Sequence, residues 1–456
     1  MRTRLALALL ATLALALPAV AQTGGYVDIS SGLAGPPLSD RVRVLAVGPD
    51  GALYAGGNFS SVGGVPANRV ARWDGAEWRP LGAGFNASVY ALAFGPDGTL
   101  YAGGTFSSAG DVPANGVARW NGAAWSPLGT GVTGGNGDVL ALAVGPDGSV
   151  YAGGLFYMAG GVNVQSVARW NGAAWSRVGT GISGWVFALA FGPDGALYAG
   201  GSFTRAGGAA ASRVARWDGS LWSALGAGMN GSVYALAVGP DGALYAGGVF
   251  NTAGGVPVGR VARWDGTAWS ALGGGPVPSE GRVDALEFGS DGSLYAGGDF
   301  TRAGGAVGDH VARWNGTAWT APAGTDGRVR ALATLPGGRL VLGGEFRTAG
   351  GVRSPYIVLD EMPNVVDAEP TPSASSGALS VGPNPARGEA TAWIEATGEA
   401  TVTVHDALGR RVATAFDGVL AGRTAVPLPA GLAPGVYVVR LATPAGVQTA
   451  RLVVVR

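Results

Sequence analysis

The stretch Gly48–Phe59, which reads GPDGALYAGGNF, decides the fold because its pattern recurs along most of the chain. Its opening turn, Gly-Pro-Asp-Gly, occurs five times and is followed by one Gly-Ser-Asp-Gly and one degenerate Leu-Pro-Gly-Gly. The copies begin at Gly48, Gly95, Gly145, Gly192, Gly239, Gly289 and Leu335. Successive copies are 47, 50, 47, 47, 50 and 46 residues apart, so seven units of nearly equal length follow one another.

Each unit contains four short runs with the character of β-strands. In the first unit they are residues 42–47, 53–59, 70–73 and 78–81, rich in β-branched and aromatic residues and bounded by Gly, Pro, Asn and Asp. Four strands in each repeat of about 40–50 residues are typical of a propeller blade. The sequence therefore predicts an all-β chain with a seven-bladed β-propeller over residues 22–362. A barrel or a solenoid is the alternative, because both also consist of regular strands and turns.

The seventh unit lacks a fourth strand of its own. The fourth-strand motif, which begins with Trp, occurs six times, and the seventh unit ends after its third run at 356–360. Near the N-terminus, Tyr26–Gly32 resembles the copy at Trp269–Gly275. We expect this N-terminal strand to complete the last blade, since the ring then exposes no unpaired strand edge.

The composition fits a packed, uncharged protein. The chain has 456 residues with 83 Gly and 27 Pro, yet 47% are hydrophobic and 14 are Trp, so a core is available. The 30 basic residues, all Arg, balance 30 acidic ones, and such a chain is not expected to bind nucleic acid or anionic membranes. The absence of Cys excludes disulfides, Cys-ligated zinc and thiol nucleophiles.

Residues 1–21 have the pattern of a signal peptide. Two arginines precede the apolar run Leu5–Leu17, and Ala19-Val-Ala21 is a small-residue cleavage site, which predicts cleavage between Ala21 and Gln22. The apolar run is too short for a bilayer span of about 20 residues. A retained anchor helix is the alternative. We expect an exported mature chain without a membrane span.

The repeat ends before a different C-terminal module. Residues 363–377 are rich in Pro and Ser and predict a linker, and residues 378–456 no longer carry the repeat. Six runs of strand character follow, at 392–396, 400–405, 411–415, 424–428, 436–441 and 447–455. Their number and size predict a small Ig-like β-sandwich.

Three motifs in this module occur in a recognisable order. Pro383-Asn384-Pro385 comes first, then 402–412 with Asp406 and Gly409, then 431–441 with Gly435 and Tyr437. The module resembles the type A C-terminal sorting domain of the type IX (Por) secretion system. That resemblance implies a Gram-negative cell, the secretion machinery as a partner, and transport through the periplasm to the cell surface or the medium. An ordinary accessory sandwich is the alternative.

The propeller repeats themselves resemble the Gly-Gly-x-Phe repeat proteins of exported bacterial chains and, more loosely, kelch blades. This resemblance implies a fold and no activity, because propellers serve both enzymes and scaffolds.

Residues for catalysis are scarce in the sequence. His310 occupies a slot before Val-Ala-Arg-Trp that varies between repeats, which predicts a surface loop end, and His405 lies in the C-terminal module. The Asp of each Gly-Pro-Asp-Gly recurs in nearly every unit, so turn formation explains it better than a single active site does. The Arg of Val-Ala-Arg-Trp is expected to bind carbonyls or these carboxylates. We predict no catalytic residue, metal site or cofactor.

Binding residues are sought where the repeats differ. The second position of the innermost strand reads Arg43, Tyr90, Leu140, Phe187, Tyr234, Asp284 and Arg330 around the ring. Glu287 also replaces an otherwise common Ala. Charged side chains opposite aromatic ones at a central mouth predict a site for a sugar or a peptide end. The alternative, which we favour from the sequence, is that Asp284 only neutralises neighbouring arginines.

The long connections, which include insertions within 129–138 and 273–282, should share one face of the ring and form the binding surface. The leading hypothesis is a non-enzymatic exported protein for binding or adhesion, with a glycan or a surface protein as its ligand. The alternative is an extracellular carbohydrate-active hydrolase or lyase that uses Asp284 and Glu287. An inert surface-layer component is the third possibility.

Overall fold

In the computed structural model of the chain, the described residues are 25–29, 41–62, 65–273, 281–303, 306–361, 378–382, 390–406, 411–429, 432, 435–443 and 446–454. They belong to two compact units, Met1–Val366 and Asp367–Arg456. The predicted signal peptide with Ala21 and Gln22, the linker, and motif residues Pro383, Asn384, Pro385 and Gly409 lie outside the described residues.

The described part of the N-terminal unit is all-β and consists of propeller-like repeats. It contains seven antiparallel sheets, each with four main strands; six have their strands in sequential order from the first strand outward, and in the seventh the N-terminal strand takes the outer place. Sheets 1 to 4 are formed by Arg41–Val47, Leu53–Asn58, Val70–Trp73 and Trp78–Pro80; Val89–Phe94, Leu100–Gly104, Val117–Trp120 and Trp125–Pro127; Asp138–Val144, Val150–Leu155, Val167–Trp170 and Trp175–Arg177; and Ile182–Phe191, Leu197–Ala206, Val214–Trp217 and Trp222–Ala224. Sheets 5 to 7 are formed by Val233–Val238, Leu244–Gly248, Val261–Trp264 and Trp269–Ala271; Arg282–Phe288, Leu294–Asp299, Val311–Trp314 and Trp319–Thr320; and Val329–Thr334, Leu340–Gly344, Ile357–Glu361 and Gly25–Asp28.

Small two-residue strands lie in the long connections between strands two and three. They are Ser61–Val62, Val65–Pro66, Ser108–Ala109, Val112–Pro113, Val132–Thr133, Met158–Ala159, Val162–Asn163, Ala209–Ala210, Thr252–Ala253, Val256–Pro257, Arg302–Ala303, Ala306–Val307, Thr348–Ala349 and Val352–Arg353, with Val132–Thr133 in the connection into sheet 3. Because the strands of a sheet alternate in direction, these connections and those between sheets share the end at which the first strands begin. That end is called the long-loop face below.

Each repeat needs its diglycine because neighbouring atoms lie too close to both glycines to leave room for a side chain. At Gly57 an added Cβ would lie 2.1 Å from the carbonyl oxygen of Arg41 on the neighbouring strand, and at Gly56 it would lie 2.7 Å from Val89 of sheet 2. Both distances are too short for any side chain. The first glycine therefore allows sheet-to-sheet packing, and the second accommodates a β-bulge in the first strand.

The buried cores lie between neighbouring sheets. First strands of consecutive sheets lie side by side all the way round, and the first strand of sheet 7 lies beside that of sheet 1. Val42 and Leu45 of sheet 1 share one buried cluster with Leu335 and Val341 of sheet 7. Apolar side chains on both faces of each sheet are thus removed from water, which supplies most of the stabilising free energy.

The N-terminal strand closes the last sheet, as the sequence predicts. Gly25–Asp28 pairs antiparallel with Val358–Glu361 and provides the fourth strand of sheet 7. Tyr26 and Ile29 are 6% and 8% exposed. Ser354 Oγ donates a hydrogen bond to Asp28 Oδ1 at 2.8 Å, which fixes the strand further.

Fourth-strand tryptophans join each sheet to the one before it. Each indole Nε1–H donates to a buried backbone oxygen of the preceding sheet at 2.7–2.9 Å. The pairs are Trp78 with Ile29, Trp125 with Leu81, Trp175 with Leu128, Trp222 with Val178, Trp269 with Leu225 and Trp319 with Leu272. Tyr26 takes the same role in sheet 7, where its hydroxyl donates to the Ala323 oxygen.

The C-terminal unit contains fewer and longer strands than predicted. Its described strands are Ala378–Gly382, Thr391–Asp406, Arg411–Pro427, Gly435–Thr443 and Gly446–Val454, and they form one five-stranded hydrogen-bonded sheet. The predicted pairs 392–396 with 400–405 and 411–415 with 424–428 are each one continuous strand. Gly398 and Gly422 explain the difference, because their φ values of 102° and 109° let the ladder bend without a turn. Alternate residues from both halves of the bent hairpin share one core.

Candidate functional site

One residue in each first strand lies in a β-bulge and has no partner opposite it. The register shifts place the bulges at Arg43, Tyr90, Leu140, Phe187, Tyr234, Asp284 and Arg330. In sheet 1, Val42 before the bulge packs on sheet 7, and Val44 after it packs towards sheet 2. The bulge residue therefore turns to neither neighbour and lies on the inner edge of the ring. We call these seven residues the bulge row, and it coincides with the row that the sequence singles out.

Aromatic side chains occupy one part of this inner edge. Phe187 and Tyr234 lie with ring centroids 4.9 Å apart, and Trp185 stacks on Phe187 at 6.0 Å. Tyr90 lies under the guanidinium of Arg43 at 4.9 Å. We call Tyr90, Trp185, Phe187 and Tyr234 the aromatic sector.

Asp284 lies in a dense arginine cluster. Arg282 donates to its Oδ1 at 2.5 Å, and Arg328 donates to both carboxylate oxygens at 2.5 and 2.7 Å. The Asp284 side chain is only 5% exposed. Asp284 therefore neutralises arginines, as the alternative interpretation of the sequence holds, although its partners come from the strand starts and not from the bulge row. The guanidinium of Arg282 also lies 3.6 Å from the ring centre of Tyr234, which links this cluster to the aromatic sector.

A second carboxylate, Glu345, directly follows the second strand of sheet 7 and binds Arg330 and Arg41. Arg330 donates to its Oε1 through Nε at 2.8 Å and Nη2 at 2.5 Å, and Arg41 approaches within 3.2 Å. Burial alone raises the pKa of Glu345, but the hydrogen bonds and charges of Arg330 and Arg41 outweigh burial and hold that pKa below its usual value.

We call these residues, together with Arg43, the basic sector; they are Arg41, Arg43, Arg282, Asp284, Arg328, Arg330 and Glu345. Four of these arginines share two carboxylates and Arg43 contacts neither, so this side of the inner edge carries excess positive charge.

The structure places Glu287 away from this inner edge. Three positions after the bulge, its side chain faces sheet 7, where the backbone N–H of Thr334 donates to Oε1 at 3.1 Å. Burial raises its pKa to about 7. The prediction that Glu287 lines the mouth is therefore wrong, because both faces of a first strand pack against neighbouring sheets and only the bulge residue turns to the inner edge. Asp284 and Glu287 do not form the carboxylate pair that the hydrolase hypothesis needs.

The repeated arginines bind the turn carboxylates, as predicted. Arg Nη2 lies 2.6–2.7 Å from the turn Asp in five sheets. The pairs are Arg72 with Asp50, Arg169 with Asp147, Arg216 with Asp194, Arg263 with Asp241 and Arg313 with Asp291. In sheet 2, Arg119 instead donates to Ser126 Oγ at 3.2 Å. These residues stabilise the sheets and are not available as a site.

The slot before Val-Ala-Arg-Trp adopts a left-handed backbone in every sheet, with φ between 63° and 70°. Its occupants are Arg69, Gly116, Ser166, Arg213, Arg260, His310 and Tyr356. His310 is at a loop end, as predicted, but its side chain is only 16% exposed, and its Nδ1 lies 2.9 Å from the Thr325 oxygen. Three of these side chains, those of Arg69, Arg213 and His310, contact backbone oxygens in the connection into the next sheet.

Two negative observations concern the described residues alone. They contain no group of three or more His, Cys, Asp or Glu side chains arranged to hold a metal ion. No helix in this part of the chain is long and apolar enough to cross a bilayer.

In the C-terminal unit, the structure places three of the predicted sorting residues. Asp406, at the end of its strand, lies directly opposite Tyr437 on the neighbouring strand. Gly435 begins that neighbouring strand, and Tyr437 is buried at 9% exposure. The second and third motifs are therefore adjacent in space as well as ordered in sequence.

Four segments of the repeat match a known family, described as "Domain of unknown function (DUF5122) beta-propeller". They are residues 48–73, 95–122, 192–218 and 289–316. The repeats are similar to this propeller family. The matched segments run from the tight turn to the end of the third strand, or just beyond it, which are the parts that the repeats share most closely. No curated protein matches the chain in sequence.

Solved structures with a similar fold include two bacterial surface proteins. The extracellular domain of a hybrid two-component system of B. thetaiotaomicron aligns with a TM-score of 0.50 at 9% identity, covering 94% of this chain and 57% of that one. PorZ, a surface component of the type IX secretion system of Porphyromonas gingivalis, aligns with a TM-score of 0.44 at 16% identity, covering 89% and 58%. This chain thus spans less than three fifths of either structure.

Sequence reasoning missed several residues of the inner edge. Trp185, Arg282 and Arg328 each lie two positions before a bulge residue, and Glu345 directly follows the second strand Leu340–Gly344. A signal for them exists in the repeats, since the position before the first-strand Val reads Arg41, Ser88, Asp138, Trp185, Ser232, Arg282 and Arg328. The residue type at this position varies between repeats as much as it does in the bulge row.

Proposed function

We propose that the chain is an exported binding protein of a Gram-negative cell surface, with its ligand held at the inner edge of a seven-bladed propeller. One observation favours binding over catalysis. Both carboxylate oxygens of Asp284 accept hydrogen bonds from arginines, and Glu287 faces a neighbouring sheet, so these two acids are not placed to act as a catalytic acid and base. The hydrolase or lyase alternative loses the two acids on which it depends.

Three features support the seven-bladed ring. Seven four-stranded sheets are arranged with their first strands innermost, and sheet 7 packs on sheet 1. An aromatic hydrogen-bond donor links every sheet to the preceding one. The family match and the likeness to the two-component extracellular domain agree with a propeller.

The ligand chemistry follows from the two sectors. The basic sector offers guanidinium groups that suit carboxylates or sulfates, and the aromatic sector offers flat apolar faces. An extracellular glycan or a surface-protein segment presents both kinds of group. The rigid sheets position these residues in advance, which lowers the entropic cost of binding.

We further propose that residues 378–456 are a type IX sorting domain, so the secretion machinery is the partner of this unit. The ordered motifs support this assignment, and so does the direct pairing of Asp406 with Tyr437. The predicted signal peptide at 1–21 supplies the first step of that route. An Ig-like sandwich is the architecture we propose for this unit, since both halves of its bent hairpin share one core.

The binding proposal predicts that the mature chain attaches to some cell surfaces or arrayed glycans through the aromatic sector. Replacing Phe187 and Tyr234 together by Ala should weaken attachment by about ten-fold or more, because buried aromatic anchors dominate binding energies. Leu221→Ala is the matched control, since Leu221 is 71% exposed in a tight turn at the opposite end of sheet 4. Equal attachment of all three proteins, or polysaccharide cleavage that Asp284→Asn abolishes, would overturn the proposal.

The export proposal predicts that a chain lacking 378–456 accumulates in the periplasm. Cell fractionation and immunoblotting of the intact and shortened chains measure this directly. As a gain-of-function control, residues 378–456 fused to an unrelated periplasmic protein should carry it to the cell exterior. Normal secretion of the shortened chain would contradict the sorting assignment.

A further inference from the structure

A cleft of about 470 Å³ lies on the long-loop face, between sheets 3 and 4. Its lining includes Leu155, Tyr157, Asn163, Gln165, Ser166 and Ile182. The volume falls in the range of about 300–1,000 Å³ that is usual for small-molecule sites. These residues are separate from the basic and aromatic sectors.

The cleft exists because sheet 3 has a small residue in the left-handed slot. In sheets 1 and 4 the slot holds Arg69 and Arg213, whose Nη1 atoms donate to the oxygens of Phe85 and Met229 at 2.7 and 2.8 Å. Ile182 is the counterpart of Phe85 and Met229 in the connection into sheet 4. Ser166 is too short to cross this space, so it stays open.

Sheets 5, 6 and 2 fill or close the same space in other ways. Arg260 donates to the oxygen of Val249, the counterpart of Leu155, and the His310 ring lies against the Thr325 oxygen. At Gly116 an added Cβ would lie 2.8 Å from Val132 Cγ2, so Val132 already occupies the room that a slot side chain would need. The opening beside Ser166 is therefore a departure of sheet 3 from these repeats.

Tyr157 forms an aromatic wall that the other repeats lack. Its counterparts are Ser60, Ser107, Thr204, Asn251, Thr301 and Arg347. The Tyr157 side chain is 51% exposed, while its backbone N–H donates to the Thr133 oxygen at 3.1 Å. Thr133 belongs to the connection 129–138, which contains the three-residue insertion, and its strand Val132–Thr133 pairs with Met158–Ala159. The insertion thus fixes the ring at the edge of the cleft.

The lining has the chemistry of a neutral sugar site. Asn163 and Gln165 are exposed and carry amides that both donate and accept hydrogen bonds, while Ser166 and Ile182, at 1% and 0% exposure, form the closed floor of the cleft. None of the cleft's lining side chains carries a formal charge, so a charged ligand would lose its hydration without gaining an ionic partner. A half-exposed aromatic ring beside amides suits a pyranose, which has an apolar face and a rim of hydroxyls.

We propose that this cleft is a binding subsite for a neutral saccharide. The proposal rests on the binding function proposed above, since it gives that function a ligand class, but it uses different residues. The subsite lies on the same face as the starts of the first strands, so one glycan chain can engage both places.

Two variants of the mature chain test the subsite. Ser166→Arg should fill the cleft as Arg does in other sheets, and it should fold, because Arg69, Arg213 and Arg260 adopt φ values of 65–67° where Ser166 has 63°. Tyr157→Ala removes the aromatic wall. Titration calorimetry with neutral hexose oligosaccharides should show an affinity loss of about ten-fold in each variant, and the matching uronic acid oligosaccharides should bind more weakly than the neutral ones.

Phe187 and Tyr234 of the aromatic sector provide the control that separates the two proposals. Phe187→Ala with Tyr234→Ala should reduce cell attachment and leave the affinity for short neutral oligosaccharides unchanged. Full saccharide affinity in both Ser166→Arg and Tyr157→Ala would overturn the subsite, and so would no affinity in the unaltered protein. Either result leaves attachment through the aromatic sector standing on its own test.

Discussion

Removing residues 22–32 from the mature chain should lower the melting temperature of the N-terminal unit by on the order of 10 °C. Burial of Tyr26 and Ile29 contributes about 2–5 kcal/mol each, and the deletion also leaves Val358–Glu361 as an unpaired edge. Trp78 loses the Ile29 oxygen, the only acceptor its indole has among the described residues. Differential scanning calorimetry of the two chains measures the shift.

Point variants separate the contributions to this closure. Tyr26→Ala should be strongly destabilising, and Tyr26→Phe should cost about 1–3 kcal/mol because the Ala323 oxygen then lacks its donor. Tyr157→Ala is the matched control, since that side chain is half exposed. A synthetic peptide of residues 22–32 added to the shortened chain should restore much of the loss. An unchanged melting temperature after the deletion would show that the strand does not seal the ring.

The repeat made most of the blade architecture predictable. Each Gly-Pro-Asp-Gly turn encodes a tight hairpin, and each diglycine marks a close approach, so local chemistry is enough to place strands one to three. The missing fourth strand of the last unit and the N-terminal copy of its motif even indicate the closure. Some of these signals are local and others recur in each repeat, and both kinds can be recognised in a single sequence.

The links between sheets were not predictable in the same way. The indole of Trp222 meets a carbonyl oxygen 44 residues earlier, and that pairing depends on how two sheets pack. Burial of the indole could be expected from the sequence, but the acceptor could not. The same holds for Asp284, whose partners Arg282 and Arg328 lie at strand starts on two different sheets.

Glu287 shows how one bulge changes the interpretation of a strand. If side chains alternated regularly along 282–288, every second residue would face the same neighbouring sheet. The bulge at Asp284 inserts one residue, so the residues after it face the opposite sheet from the one that regular alternation predicts. Nothing in the residue types at this position marks the bulge itself, since the seven bulge residues share no chemistry. In the C-terminal unit, likewise, Gly398 and Gly422 resemble turn glycines in sequence but lie within continuous strands.

Replacing Glu287 by Gln should stabilise the protein at pH 8 by about 3 kcal/mol and have little effect at pH 4. Burial raises the pKa of Glu287 to about 7, and the groups that oppose this rise, the N–H and hydroxyl of Thr334, are neutral. Between the ordinary Glu value of 4.5 and about 7, the folded chain holds a proton that the unfolded chain has released. Stability therefore falls as the pH rises through this window.

The glutamine variant removes that fall and keeps the acceptor for the Thr334 N–H, so its unfolding free energy should stay level over the same window. Urea denaturation at pH 4, 6 and 8 measures the difference between the two proteins. Glu77→Gln is the control, because the Glu77 side chain is 61% exposed and its carboxylate stays hydrated in either state. Parallel pH profiles for wild type and Glu287→Gln would mean that water reaches the carboxylate between sheets 6 and 7, and the two sheets would then pack less tightly than their neighbours.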